Sequence, residues 1–122
     1  MQGIQKRSSS SVKIHYPRFT RQELVDRLAK SIRDLGGSIH IREAFLFGSY
    51  AKGNYTVSSD IDVLIVLERV EPDTYRKIYR TISLPRLELL LYSSSDYLEM
   101  RMRHPETMDK LLEGAIRIAD DS

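Results

Sequence analysis

Two aspartates at the start of an apolar run constrain this chain more than any other feature. The sequence reads Asp60-Ile61-Asp62 and continues as Val63-Leu64-Ile65-Val66. A continuous apolar run of this length is typical of a strand that is covered on both faces. Because side chains alternate faces along a strand, Asp60 and Asp62 are expected to point the same way, about 7 Å apart. Two such carboxylates repel each other unless a cation bridges them, and Mg²⁺ prefers oxygen ligands.

An upstream segment is predicted to end a strand and then to bind phosphate. The run Phe45-Leu46-Phe47 is followed by Gly48 and Ser49. A glycine lets the backbone approach a triphosphate without a Cβ clash, and the Ser49 hydroxyl can donate to a phosphate oxygen. Lys52 could offset phosphate charge as a point charge. A phosphate-binding turn beside a carboxylate pair is typical of nucleotide chemistry.

Composition indicates one globular domain. The chain has 122 residues, of which 41% are hydrophobic and 30% charged, and this balance is typical of a folded domain. Residues 1–13 are polar and are predicted to form a mobile arm, with a single domain over residues 14–122. The net charge is only +2 and cysteine is absent, so we expect neither a nucleic-acid partner nor thiolate metal sites. No apolar run approaches the roughly 20 residues of a membrane span, and a cytoplasmic location is expected.

The order of predicted elements gives the fold class. Thr20 and Glu23 form a capping box, and Gly36-Gly37 end the helix that begins there. Further elements follow in this order: a strand over 39–47, a short helix over 48–52, a strand over 60–67, a helix from Pro72-Asp73 with Tyr75, Ile78, Tyr79 and Ile82 on one side, a strand over 86–92, a helix capped by Ser94 or Ser95 to Arg103, and a last helix over 106–119. Strands that alternate with helices predict an α/β (α+β) fold, a small mixed sheet flanked by helices.

The two motifs together resemble a known signature. Gly48-Ser49, ten residues and then Asp60-Ile61-Asp62 are similar to the signature of the polymerase-beta-like nucleotidyltransferase superfamily. Ala51-Lys52-Gly53 resembles the Ala-Arg-Gly of its small stand-alone members, with Lys in place of Arg, and Ser59 also fits. The short chain is most similar to the minimal nucleotidyltransferases. This resemblance implies the superfamily's fold, ATP as substrate with two Mg²⁺ ions, and a nucleotide-binding role for Gly48, Ser49, Lys52 and Ser59.

The resemblance also implies a third metal-binding carboxylate on a later strand. Glu88 is the best match, although the family usually has Asp there. On strand parity Glu88 shares one face with Arg86 and Leu90. The alternative is a glutamate that is solvated or paired with an arginine. We expect Asp60, Asp62 and Glu88 to converge at one edge, as metal ligands and catalytic residues.

Minimal nucleotidyltransferases are typically antitoxins encoded beside a HEPN-domain toxin, and some transfer AMP from ATP to a tyrosine of that toxin. The resemblance therefore implies an enzyme with a HEPN-domain partner. A contact-only antitoxin with a degenerate site is the alternative, and transfer to a small molecule ranks third. The sequence leaves the nucleotide base, the acceptor and homo-oligomerisation open.

Overall fold

The first helix follows directly from its capping sequence. The structure, a computed structural model, describes residues 19–120. In α1 (Arg21–Leu35), the Thr20 hydroxyl accepts from the Glu23 amide at 3.1 Å, and the Glu23 carboxylate accepts from the Thr20 amide at 2.8 Å. This is the expected capping box. The apolar stripe of α1 is buried as predicted and consists of Leu24, Leu28, Ile32 and Leu35.

The elements after α1 alternate between strands and helices. Their bounds are β1 (Ile41–Phe47), α2 (Gly48–Lys52), β2 (Ile61–Leu67), α3 (Thr74–Ile82), β3 (Leu87–Ser93), α4 (Ser94–Arg103), α5 (Pro105–Leu111) and β4 (Ile116–Asp120). The predicted arm over residues 1–13 lies outside the described residues, and so does the start of the predicted domain at residues 14–18. Among the described helices, none combines the length and the apolar character needed to cross a membrane.

The four strands within residues 19–120 form one mixed sheet in the order β3-β2-β1-β4. β1 pairs antiparallel with β2 and with β4, whereas β2 and β3 run parallel. The parallel pair sets Ile61 opposite Leu87, and the antiparallel pair sets Phe47 opposite Asp62. The sheet therefore brings the end of β1 and the starts of β2 and β3 together at one edge. This mixed sheet with flanking helices confirms the predicted fold class.

Helices cover both faces of the sheet. On one face, α1 and α3 pack against alternate residues of the strands, including Val63 and Ile65 of β2. On the other face, Tyr97 of α4 and Met108 of α5 pack against Leu64 and Val66. Because β2 is buried on both sides, its apolar run confirms the expectation for a central strand. By strand alternation Asp62 belongs to the face covered by α4 and α5.

The prediction of a last helix over residues 106–119 was wrong. The helix α5 ends at Leu111, and residues 116–120 form the edge strand β4. Gly114 has a φ of +74°, a conformation that favours glycine and reverses the chain. The segment after it then pairs with β1, opposite Glu43 to Leu46. Edge pairing, which depends on a distant strand, decided the conformation of this segment.

The structure refines the prediction for α3 and corrects the one for the cap of α4. In α3 the buried residues are Thr74, Ile78 and Ile82, whereas Tyr75 and Tyr79 are exposed and stack with their rings 5.9 Å apart. The α4 cap is Ser93, one residue earlier than predicted, and its hydroxyl accepts from the Asp96 amide. The two tyrosines belong to the edge of the apolar stripe rather than to its centre.

Candidate active site

The carboxylates of Asp62 and Glu88 lie side by side because of strand register. The parallel pairing of β2 and β3 sets these two residues directly opposite each other. Neighbouring residues in register present their side chains on the same face of a sheet. Glu88 is exposed and Asp62 is half-buried, whereas Leu87 and Leu89 on either side of Glu88 are buried. The structure thus places Glu88 on the same face as Asp62.

Negative charge is crowded around Asp62. Burial, and to a smaller extent the charges of Asp60 and Glu88, together raise the pKa of the Asp62 carboxyl from 3.8 to about 6. A pKa shift of this sign means that the folded chain disfavours the ionised form of Asp62. A cation at this position would reverse that effect by stabilising the carboxylate.

Asp60 has a cationic partner in this structure. One Asp60 carboxylate oxygen lies 3.0 Å from a terminal nitrogen of Arg86. The same nitrogen donates to the Ser58 carbonyl at 2.6 Å. Arg86 has a φ of +57°, in the left-handed region that non-glycine residues rarely occupy. Its carbonyl accepts from the Ile61 amide at 2.9 Å, so its backbone is held beside the start of β2.

Gly48 packs directly against Asp62. Gly48 follows the last residue of β1, has a φ of +75° and begins α2. A Cβ atom built on Gly48 would overlap the Asp62 carboxylate. Ser49 is half-buried, and the first turn of α2 has no side-chain cap. Lys52 is exposed at the other end of α2, where its chain packs against Gly114. The structure therefore brings Gly48, Ser49 and Asp62 close together, and Lys52 lies one helical turn further along α2.

Ser59 has a structural role in the loop before β2. Its hydroxyl accepts from the Thr56 amide at 2.8 Å, and its own amide donates to the Thr56 carbonyl at 3.1 Å. Ser59 also lines a cavity of about 420 Å³ together with Tyr50 and Arg86. A second cavity of about 480 Å³ lies further along the sheet beside Arg42, Arg101 and Arg117, and the predicted site residues do not line it.

The donor set at this edge fits a hard divalent cation in its chemistry. Asp60, Asp62 and Glu88 offer only carboxylate oxygens, which Mg²⁺ prefers. Gly48 has no Cβ, and this is what allows the Asp62 carboxylate to lie directly against its backbone. As the side chains stand, no three His, Asp or Glu groups within residues 19–120 form a ready metal site. Asp60, which is paired with Arg86, would have to turn.

Comparison against known sequences identifies the family of this chain. The sequence profile of the nucleotidyltransferase domain matches residues 25–113, a span that runs from α1 to the turn before β4. The chain belongs to the nucleotidyltransferase domain family. A short segment is also similar to a proposed protein adenylyltransferase of Methanocaldococcus jannaschii, with 65% identity over 26 residues. That match covers 21% of this chain and 26% of the relative.

Solved structures share the fold. A proposed nucleotidyltransferase of Sulfolobus solfataricus superposes with a TM-score of 0.52 at 15% identity, over 80% of each chain. A toxin–antitoxin crystallised with AMP-PNP gives a TM-score of 0.56 at 15% identity, over 80% of this chain and 74% of that one. A variant of the MntA–HpeT toxin–antitoxin with two Asp-to-Glu replacements gives 0.56 at 13% identity, with the same coverage. At such low identity these likenesses establish the fold alone.

Arg86 is the residue at this edge that the sequence did not reveal as part of the site. By strand parity Arg86 shares the face of Glu88, but parity alone does not link it to Asp60. A signal does exist, because Arg86-Leu87-Glu88 repeats the spacing of Asp60-Ile61-Asp62. Parallel pairing of these two triplets sets Arg86 beside Asp60 and Glu88 beside Asp62. The signal becomes useful only when the strand register is known.

The raised pKa of Asp62 predicts a pH-dependent cost to folding. The unfolded chain loses this proton near pH 3.8, whereas the folded chain keeps it up to about pH 6. Stability therefore falls as the pH rises through this window, and the loss is complete above it. Because the carboxyl is only partly buried, we expect a cost of about 1 kcal/mol rather than the full value. Asp62→Asn should raise the free energy of unfolding by this amount at about pH 7.5, and by much less at about pH 4.5.

Urea denaturation of the metal-free protein at the two pH values measures this effect. Asp109→Asn, which removes an exposed carboxylate on α5, is the matched control and should change little at either pH. An Asp62→Asn variant that is less stable than the wild type at about pH 7.5 would show that Asp62 is not strained by its neighbours.

Proposed function

We propose that this chain is a Mg²⁺-dependent nucleotidyltransferase that transfers AMP from ATP to a hydroxyl group of a partner protein. One observation carries the proposal. Asp62 and Glu88 lie side by side on parallel strands, and the Asp62 carboxylate lies directly against Gly48, which has no Cβ. Crowded carboxylates next to the glycine turn between β1 and α2 suit a complex of a metal ion with a triphosphate. Asp60, Asp62 and Glu88 are the proposed metal ligands.

The residues of this chain bind and orient the two reactants. Gly48 and Ser49 would hold the triphosphate, and Lys52 and Ser59 are the further proposed nucleotide-binding residues. Two Mg²⁺ ions, when bound, would neutralise charge on the transferred group and on both the attacking and the leaving oxygen. The acceptor oxygen bonds to the α-phosphorus, the bond to the β-phosphate oxygen breaks, pyrophosphate leaves, and the hydroxyl proton passes to solvent. Asp60, Asp62 and Glu88 fix where this displacement takes place.

The names of the similar proteins support the choice of AMP and of a protein acceptor. One structural neighbour was crystallised with AMP-PNP, and the short sequence match is to a proposed protein adenylyltransferase. In another neighbour two aspartates two positions apart were replaced by glutamate, which is the spacing of Asp60 and Asp62. Both of these neighbours are toxin–antitoxin proteins. These names support an antitoxin with a toxin partner. The resemblance to the minimal nucleotidyltransferases adds the finer proposal that the partner is a HEPN-domain toxin and that the acceptor is one of its tyrosines.

A contact-only antitoxin is the second candidate, and one feature favours it. Asp60 is paired with Arg86 at 3.0 Å, and no three-carboxylate group within the described chain is assembled to hold a metal. In that case the nucleotidyltransferase fold would bind and neutralise the partner without chemistry. The two candidates differ in whether magnesium and nucleotide bind at this edge.

Nucleotide binding is expected to require magnesium. The triphosphate and the three carboxylates are all anionic, so without a cation they repel each other. Calorimetry should show ATP binding in Mg²⁺ and at least tenfold weaker binding in EDTA. Asp109→Asn removes one carboxylate away from this edge and serves as the control, which should bind ATP as the wild type does in both buffers. Equal ATP affinity in both buffers would mean that these carboxylates do not hold the metal. No ATP binding in either buffer would favour the contact-only antitoxin.

A further inference from the structure

The ion pair of Arg86 with Asp60 occupies one of the proposed metal ligands. Asp60 and Arg86 are each about half exposed, with side-chain accessibilities of 47% and 53%. The pair therefore lies at the solvent-exposed rim of the site, where a cation from solution can reach Asp60 and take the place of Arg86. An exposed ion pair of this kind contributes little to folding. Because the pair lies beside Asp62, it also bears on metal binding at the proposed site.

The backbone is arranged to present this guanidinium to Asp60. Arg86 lies immediately before β3 with a φ of +57°, a conformation that costs a non-glycine residue about 1 kcal/mol. Its carbonyl is held by the Ile61 amide, and its side chain is held by the Ser58 carbonyl. Contacts on both sides thus fix Arg86 against the segment that carries Asp60. A strained residue held in this way is a reason to ask what its side chain does.

We infer that Arg86 is an exchangeable counter-ion: it holds Asp60 in the metal-free protein, and a divalent cation must displace it to assemble the site. This inference rests on the proposed function, because it takes Asp60 as a metal ligand. It also gives a physical reason why Asp60, Asp62 and Glu88 lie near one another without forming a ready metal site. Arg86 is a positioning residue in this account, since it acts through Asp60.

This exchange predicts that removal of a residue at the site should increase, rather than decrease, the affinity for the metal. If Arg86 competes with the cation, its removal should tighten metal binding, because Asp60 becomes free and a positive charge leaves the site. An exposed pair of this type sets the expected gain at about two- to fivefold in affinity. If Arg86 only supports the loop through the Ser58 carbonyl, its removal should loosen the segment of Asp60 and weaken metal binding. The two roles therefore move the same measurement in opposite directions.

The test is calorimetric titration of the full chain with Mn²⁺ alone, without nucleotide. Arg86→Gln should bind Mn²⁺ about two- to fivefold more tightly than the wild type. Arg86→Lys keeps the charge and should stay within about twofold of the wild type. Arg103→Gln is the control, because it removes an exposed arginine from an ion pair with Glu99 on α4, away from the proposed site. It should leave Mn²⁺ affinity unchanged, and circular dichroism verifies that all variants fold.

The outcomes separate this inference from the proposed function. Unchanged or weaker Mn²⁺ binding by Arg86→Gln, alongside clear binding by the wild type, overturns the counter-ion role and leaves the metal site standing. No Mn²⁺ binding by the wild type or by any variant overturns both. Should Arg86→Gln misfold, Arg86→Asn replaces it, since asparagine tolerates the left-handed backbone and its short side chain cannot reach Asp60.

Discussion

Asp62→Asn is expected to lower AMP transfer by about a thousandfold while the fold stays intact. Asp62 is close enough to Asp60 and Glu88 for their charges to act on it, and its carboxylate lies against Gly48. Loss of one proposed metal ligand should remove about 4 kcal/mol of transition-state stabilisation, which corresponds to a factor of this size. The measurement is the initial rate of label transfer from α-labelled ATP to a co-purified HEPN-type partner.

Two further variants make this result specific. Glu88→Gln should lower the rate nearly as much if Glu88 is the third ligand, and by less than about threefold if Glu88 is merely a solvated glutamate. Asp109→Asn should leave the rate unchanged. Transfer by Asp62→Asn at close to the wild-type rate would contradict the mechanism, whatever Glu88→Gln does.

Gly48→Ala is expected to lower both stability and activity. Its φ of +75° disfavours any side chain, and the new Cβ would overlap the Asp62 carboxylate. We expect a loss of about 1–3 kcal/mol in the free energy of unfolding. Because the Asp62 carboxylate must move aside, we also expect at least a hundredfold loss of AMP transfer. Urea denaturation and the labelling assay measure the two effects.

A control and a double variant locate the cause of this loss. A Cβ on Gly37 would meet nothing within 4 Å, so Gly37→Ala should be neutral or stabilising by less than about 1 kcal/mol. In an Asp62→Ala background the carboxylate is gone, and the cost of Gly48→Ala should fall to the backbone share of about 1 kcal/mol. A cost that is the same in both backgrounds would mean that the carboxylate plays no part.

Local sequence patterns carried enough information for most of the fold. The capping box of Thr20 and Glu23 set the start of α1 to the residue, because both hydrogen bonds are local. The apolar run of β2 predicted a central strand, since only a strand covered on both faces buries it. The turn at Gly48 followed from a glycine after an apolar strand. These features depend on neighbours in the chain.

The features that sequence reasoning missed depend on distant pairing. Residues 116–119 were predicted as the end of a helix, and they belong to β4 because β1 offers them a free edge. The ion pair of Arg86 with Asp60 depends on the register of β2 with β3, which sets Ile61 opposite Leu87. Parity along one strand indicates which face a residue occupies, but a neighbour on another strand follows only from register. Asp62 and Glu88 were expected to converge at one edge, and the strand register sets these two residues opposite each other.

The position of the label that is transferred tests the central claim most directly. The wild-type chain is incubated with a HEPN-type partner, Mg²⁺ and ATP labelled at either the α- or the γ-phosphate. Nucleotidyl transfer predicts that the α-label becomes covalently attached to the partner and that the γ-label leaves with pyrophosphate. Attachment of the γ-label would contradict the claim, and so would the absence of both labels from a partner that binds the chain tightly.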